Sequence, residues 1–134
     1  MENKNTNHKS EKRIFSIIKR IQSFENAFYG LKVFLQTTHN AWIQIVAGIL
    51  VVWLGFVFNI SQTEWLFVVM SIGAVLTAEA FNTALEFDID LTSPQYHEYA
   101  KYTKDVAAGA VLITSTMAVI VGLMIFLPKI FLFS

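Results

Sequence analysis

Residues 65–90 read WLFVVMSIGAVLTAEAFNTALEFDID. The stretch begins as lipid-soluble helix, yet Glu79, Asn82 and Glu86 appear before the apolar run has ended, and Asp90 follows. About 20 apolar residues at ~1.5 Å each cross ~30 Å of hydrocarbon, so the first part predicts a transmembrane helix. On that helix Glu79, Asn82 and Glu86, three and four apart, share one face, which Asp90 continues if the helix persists. The small residues among them, Ala78, Ala80, Thr83 and Ala84, let another backbone approach closely. How this stretch is read decides the fold: a membrane span that carries carboxylates.

Working outward, residues 41–60 (AWIQIVAGILVVWLGFVFNI) form an earlier span, and residues 65–85 form the second. Between them Ser61, Gln62, Thr63 and Glu64 make a short polar turn. A third span is expected at residues 106–127, ended by Pro128. Residues 88–105 (DIDLTSPQYHEYAKYTKD) are a polar connection in which Ser93-Pro94 favours a turn. Its tyrosines 96, 99 and 102 suit a membrane–water boundary. Upstream, Ile14, Ile17, Ile18, Ile21, Phe24, Phe28, Leu31 and Leu35 recur at helical intervals, with Lys19, Arg20, Glu25 and Lys32 between them. This predicts an amphipathic surface helix, or two, over residues 13–36, lying apolar side down on the bilayer. An ordinary helix packed on protein is the competing reading. Residues 1–12 are polar and expected to be disordered. The fold class is therefore an all-α membrane protein, with one domain over residues 13–134.

The totals agree. Of 134 residues, 54% are hydrophobic and 15% charged, and the mean hydropathy of +0.51 points to a bilayer rather than to water. The formal net charge is zero, so no global field favours nucleic acid. The absence of cysteine excludes disulfides, thiolate metal sites and cysteine nucleophiles. No short apolar run with a small-residue cleavage site follows the first residues, and a cleaved leader is not expected. Seven of the ten basic residues precede the first span, and Lys101 and Lys104 lie between the second and third. That asymmetry places the N-terminus and the 88–105 connection on the cytoplasmic side of a bacterial inner membrane.

An ionisable group inside a span costs about 2.5–3.5 kcal/mol at mid-membrane, so Glu79 is expected to face protein and to have a function. Withdrawn from water, a carboxylate becomes a stronger proton acceptor, suited to general-base work. A structural carboxylate hydrogen-bonded across helices is the alternative. Glu86 and Asp90 offer oxygen ligands of the kind Mg²⁺ takes alongside phosphate; a solvated helix end would look the same. Lys104 and Asp105 stand where a lysine reaches phosphate and an aspartate a ribose or adenine edge, or where a charged pair merely anchors a span. There is no Gly-x-x-x-x-Gly-Lys-(Ser/Thr) loop and no protein-kinase signature.

At these residues the chain resembles the small prokaryotic integral-membrane diacylglycerol kinases and the related undecaprenol kinases. The matching elements are Glu-x-x-Asn-(Thr/Ser)-Ala-(Ile/Leu)-Glu at residues 79–86, then Asp90, Tyr96-His97-Glu98, and Lys104-Asp105 followed by VAAGAVL. An Ala-x-x-Gly-(Leu/Ile) element stands at residues 27–31, and the likeness covers residues 24–127. The resemblance implies an ATP-dependent lipid kinase that works as a homotrimer with active sites shared between protomers. Its acceptor would be the primary hydroxyl of a membrane lipid, diacylglycerol by preference, with undecaprenol as the alternative.

Carried over by position, Glu79 looks like the catalytic base and Glu86 like a ligand of the Mg²⁺ bound to ATP. Asp90, Tyr96, His97, Glu98, Lys104 and Asp105, with Glu86, resemble nucleotide contacts. Asn82, Lys19 and Lys32 complete the polar and substrate-contacting set. The chain departs from the family pattern at Thr38, where a second metal-binding glutamate is often found eight residues after the glycine matched by Gly30. His39 or Asn40 would have to supply the ligand, or the metal would be held by fewer groups; imidazole is not the partner Mg²⁺ prefers. The rival reading is a non-catalytic membrane protein, such as a transporter subunit with Glu79 in a proton path.

Overall fold

The computed structural model describes the backbone of residues 3–132 and the side chains of residues 17–131. The described residues form four helices and no strand: α1 (Asn3–Thr37), α2 (His39–Val57), α3 (Gln62–Thr92) and α4 (Glu98–Leu132). Two compact units divide the chain, Met1–Thr37 and Thr38–Ser134.

The first unit is α1. Its apolar side chains Ile17, Ile18, Ile21, Phe24, Phe28 and Leu31 are all exposed, as are the polar ones among them. The expectation for residues 1–12 falls outside the described side chains; the helical path itself is traced from Asn3.

In the second unit α2, α3 and α4 are each long and apolar enough to cross a membrane. The turn between α2 and α3 is specified almost atom by atom. Asn59 takes the left-handed conformation (φ 48°), which asparagine tolerates better than most residues. Around it the Ile60 amide donates to the Gly55 carbonyl (3.1 Å) and the Asn59 amide to that of Phe56 (3.2 Å). That double bond pattern closes a helix C-terminus. Ser61 then opens α3 with a capping box: its hydroxyl accepts from the Glu64 amide, and the Glu64 carboxylate accepts from the Ser61 amide at 2.7 Å. The turn thus occupies residues 58–61, and Thr63 and Glu64 belong to α3 rather than to the connection.

The other connection is shorter than its polar sequence suggests. α3 continues to Thr92 and α4 begins at Glu98, so Glu86, Asp90, Lys101, Lys104 and Asp105 are all helical. Pro94 blocks continuation just past the Ser93 cap. Pairs one turn apart, Glu98 with Tyr102 and Lys101 with Asp105, support the start of α4.

Pro128 does not end the third span as expected; α4 carries it inside the helix and runs on to Leu132. So close to the end, the ring forfeits a single backbone hydrogen bond, and in hydrocarbon such a residue is tolerated when neighbours compensate. Lys129, one residue on, pairs with Glu64 at 3.1 Å. At the opposite end of the antiparallel α3–α4 pair, Lys104 meets Asp90 at 2.5 Å. The two ion pairs are separated by nearly equal lengths of helix on α3 and α4, about 38 Å at 1.5 Å per residue, which fixes the register of the two helices.

Between them the core contains Ile60, Val68, Ile125 and Phe126, with Leu54, Trp65 and Ile72 packed against it. Gly55 is buried because the Trp65 ring fills its place: a Cβ there would stand 2.7 Å and 2.9 Å from two ring carbons. At Gly48 the nearest atom to such a Cβ is Ile72 Cγ2 at 3.5 Å, an ordinary contact. We therefore expect Gly55→Ala to destabilise the fold by about 1–3 kcal/mol through overpacking. Gly48→Ala is expected to be neutral or stabilising, since alanine is the better helix former by about 0.5–1 kcal/mol. Thermal unfolding of both variants in detergent micelles checks the contrast.

Candidate functional site: carboxylates along α3

α3 has 31 residues and is about 45 Å long, well beyond the ~30 Å of a hydrocarbon core. Measured from its start at Gln62, Glu79 lies about 25 Å along and Glu86 about 36 Å. If Gln62 marks one boundary, Glu79 is just inside the far one and Glu86 just outside. The two carboxylates stand on one continuous helix, a little over 10 Å apart along its axis.

Glu79 is 2% exposed, the most deeply buried polar residue described. Its Oε2 accepts a hydrogen bond of 3.2 Å from Gln44 Nε2 on α2. Thr83, one turn on, is also buried and donates its hydroxyl to the Glu79 carbonyl at 3.0 Å. A hydroxyl has one proton, so in the 2.8 Å contact between the Thr38 and Thr83 hydroxyls Thr38 is the donor. Thr38, at the position of the absent glutamate, therefore touches the same face of α3, between the levels of Glu79 and Glu86. One turn further along, Asn82 Nδ2 donates to Glu86 Oε1 at 3.2 Å. Both carboxylates are thus addressed by an amide N–H, and both amides, Gln44 and Asn82, keep a buried oxygen with no partner among the described residues.

At the aqueous end, the ion pair between Lys104 and Asp90 brings the ends of α3 and α4 together. Glu86, Asp90 and Asp105 are exposed, and Lys104 is partly so. Asp105 is engaged by Lys101. His97 closes the start of α4: its Nδ1 accepts from the Tyr99 amide at 3.3 Å, and its ring stacks on Tyr99. Tyr96 is exposed, and Glu98 contacts the Tyr102 hydroxyl. His39 is exposed in the first turn of α2, and Lys19 and Lys32 belong to α1. No three His, Asp or Glu side chains converge on a metal position among the described residues. The oxygen set does suit Mg²⁺ of the kind that arrives on a nucleotide, which takes only one or two protein carboxylates. Glu86 is an exposed carboxylate that could provide one, with Asn82 Nδ2 on its Oε1.

A cavity of about 460 Å³ lies between α2, α3 and α4, bounded by Ala47 and Val51, by Val75 and Leu76, and by Val119 and Phe126. Its lining is almost wholly apolar, with Gln44, Ser71 and Ser115 as the polar members. Gln44, the hydrogen-bond donor to Glu79, is part of that lining; Glu79 itself is not.

Residues 25–126 match the prokaryotic diacylglycerol kinase family. The chain belongs to that family of lipid kinases. Among curated proteins it is 37% identical over 108 residues to the undecaprenol kinase of Bacillus subtilis (strain 168), covering 81% of this chain and 88% of that one. It is also 37% identical over 107 residues to the diacylglycerol kinase of Synechocystis sp. (strain ATCC 27184 / PCC 6803 / Kazusa), covering 79% of this chain and 61% of the longer relative. Membership accounts for a carboxylate-bearing span in a membrane kinase.

The sequence reading missed Gln44 and the pairing of Thr38 with Thr83. Gln44 was visible as the lone amide in the apolar run after Ala41; what it meets is a tertiary fact. Thr83→Val should leave Thr38 without its partner and destabilise the protein by about 1–3 kcal/mol. Asp90→Asn removes a half-exposed ion pair and should cost less than about 1 kcal/mol. Urea or thermal titration in micelles compares the two.

Proposed function

We propose that the protein transfers the γ-phosphoryl group of ATP to the primary hydroxyl of a membrane lipid alcohol, with diacylglycerol as acceptor and phosphatidic acid as product. The observation that carries this reading is that Glu79 and Glu86 share one helix, two turns apart, with Glu79 buried against α2 and Glu86 exposed. A lipid hydroxyl stays near the boundary while ATP stays in water, and the reaction requires the two to meet.

Glu79 accepts the proton as the alcohol oxygen forms its bond to the γ-phosphorus. The bond from that phosphorus to the bridging oxygen breaks, and ADP leaves with the electron pair. Phosphoryl transfer asks a protein chiefly for positioning and charge stabilisation. Lys104 supplies positive charge toward the phosphates, in exchange for its pairing with Asp90. Asp105, with Tyr96, His97 and Glu98, bounds the nucleotide. Glu86, with Asn82 beside it, would hold Mg²⁺, which when bound neutralises charge on the triphosphate. With threonine at position 38, Glu86 would be the principal protein ligand, with His39 the nearest additional donor in sequence. Lys19 and Lys32 on α1 would contact lipid head groups at the bilayer surface.

In this reading the active end faces the cytoplasm of a bacterial inner membrane, which the distribution of lysine and arginine supports. Three spans line only part of the cavity, and assembly as a homotrimer would complete its wall. A second reading, undecaprenol as acceptor, is favoured by one observation: the Bacillus subtilis relative, of which 88% is covered, is named an undecaprenol kinase.

Purified protein in mixed micelles with Mg-ATP should phosphorylate diacylglycerol in preference to undecaprenol when the two compete. Reversal of that order would assign the second acceptor, and no phosphorylated product from either would overturn the kinase reading. Glu79→Gln should lower kcat by about 100-fold or more, the range for loss of a general base.

A further inference from the structure

Gln44 is a primary amide in an otherwise apolar membrane helix. A polar group withdrawn from water without a hydrogen bond is destabilising by about 1–3 kcal/mol on mutational scales. A glutamine kept only to pack α2 on α3 would be satisfied at both ends, or replaced by methionine of similar length. Here the nitrogen end is satisfied by Glu79 Oε2 at 3.2 Å, while the buried oxygen end has no partner among the described residues. The carboxylate alone accounts for the residue.

The local backbone is arranged for that reach. Ala41 and Gly48, three residues before and four after, are both buried and small, which brings α2 close to α3 on the Gln44 face. An amide is also the donor a base can keep. Lysine or arginine there would neutralise the carboxylate as an ion pair, whereas a neutral N–H fixes one oxygen and leaves the charge available. The same side chain also lines the apolar cavity between α2, α3 and α4.

We propose that Gln44 is a positioning residue for the phosphoryl transfer. Its Nε2–H holds Glu79 Oε2, fixes the plane of the carboxylate, and turns the other oxygen toward the acceptor hydroxyl. The inference rests on Glu79 being the base. Misplacement by about 1 Å can cost on the order of 100-fold in rate, so one hydrogen bond of this kind is enough to matter.

Two substitutions test it, with Glu79→Gln run alongside. Gln44→Met keeps length and apolar contact but removes the donor. We expect kcat to fall at least about tenfold, KM for ATP to stay within about twofold, and the melting temperature to change little, because loss of the donor to Glu79 opposes relief of the unpartnered Gln44 oxygen. Gln44→His restores an N–H at a similar distance from the backbone, and should recover most of kcat. A purely structural role would instead show a lowered melting temperature and no selective rescue by histidine. If Glu79→Gln is inactive while Gln44→Met turns over like the wild type, or if histidine fares no better than methionine, the positioning role is overturned and the base assignment stands. If Glu79→Gln remains active, the base assignment itself fails and the Gln44 role with it.

Discussion

A lipid hydroxyl does not leave the bilayer boundary, and a nucleotide does not enter hydrocarbon. The constraint on any protein that joins them is to hold a proton acceptor on the dry side and phosphate-binding groups on the wet side at a constant separation. In the proposed reading α3 meets it, because its 31 residues make it longer than a hydrocarbon core is thick. No hinge intervenes between Glu79 and Glu86, because the backbone between them is helical and each amide there is used in the helix. The same helix that makes the span apolar therefore delivers the polar groups at fixed depth.

A buried carboxylate must be compensated, and the rest of the unit reads as that compensation. α2 is closed at its C-terminus by the turn over residues 58–61 and approaches α3 through Ala41 and Gly48, which lets Gln44 reach Glu79. Thr38 and Thr83 tie the first turn of α2 to the helix carbonyl below the carboxylate. α4 is held in register by an ion pair at each end, Lys104 with Asp90 and Lys129 with Glu64. The first pair is largely exposed and the second partly so, and pairs within reach of water contribute little to stability. Their effect is on register: sliding α4 by one turn would break both. Lys104 is thereby kept near the end of α3 that carries Glu86.

Much of this was legible in the residues. The three long apolar helices and the shared face of Glu79, Asn82 and Glu86 follow from hydropathy and a 3.6-residue period, whereas residues 13–36 left one or two helices open. The family was legible too, in the Glu79–Glu86 element and Lys104-Asp105. What the sequence hid was tertiary or cooperative. Residues 88–105 look like a loop because they are polar, yet both helices extend into water, where i,i+4 pairs such as Lys101 with Asp105 sustain them. Pro128 looks like a terminus, but so near the end of a helix its missing N–H matters little. Gln44 looks like an incidental polar residue in a span until Glu79 is found against it.

The chain has no native cysteine, so single cysteines carrying a nitroxide can be placed along the outer face of α3 without background. Labels at Phe81, Leu85, Asp88 and Leu91, all exposed side chains, sample the depth interval from Glu79 to just past Glu86. In lipid bilayers the account predicts that collision with oxygen dominates at Phe81, and that collision with a water-soluble nickel complex rises from Leu85 to dominate at Asp88 and Leu91. Equal oxygen-dominated accessibility at all four, or water contact at Phe81 with lipid contact at Asp88, would contradict it. Either result would mean that the two carboxylates do not face opposite sides of the boundary.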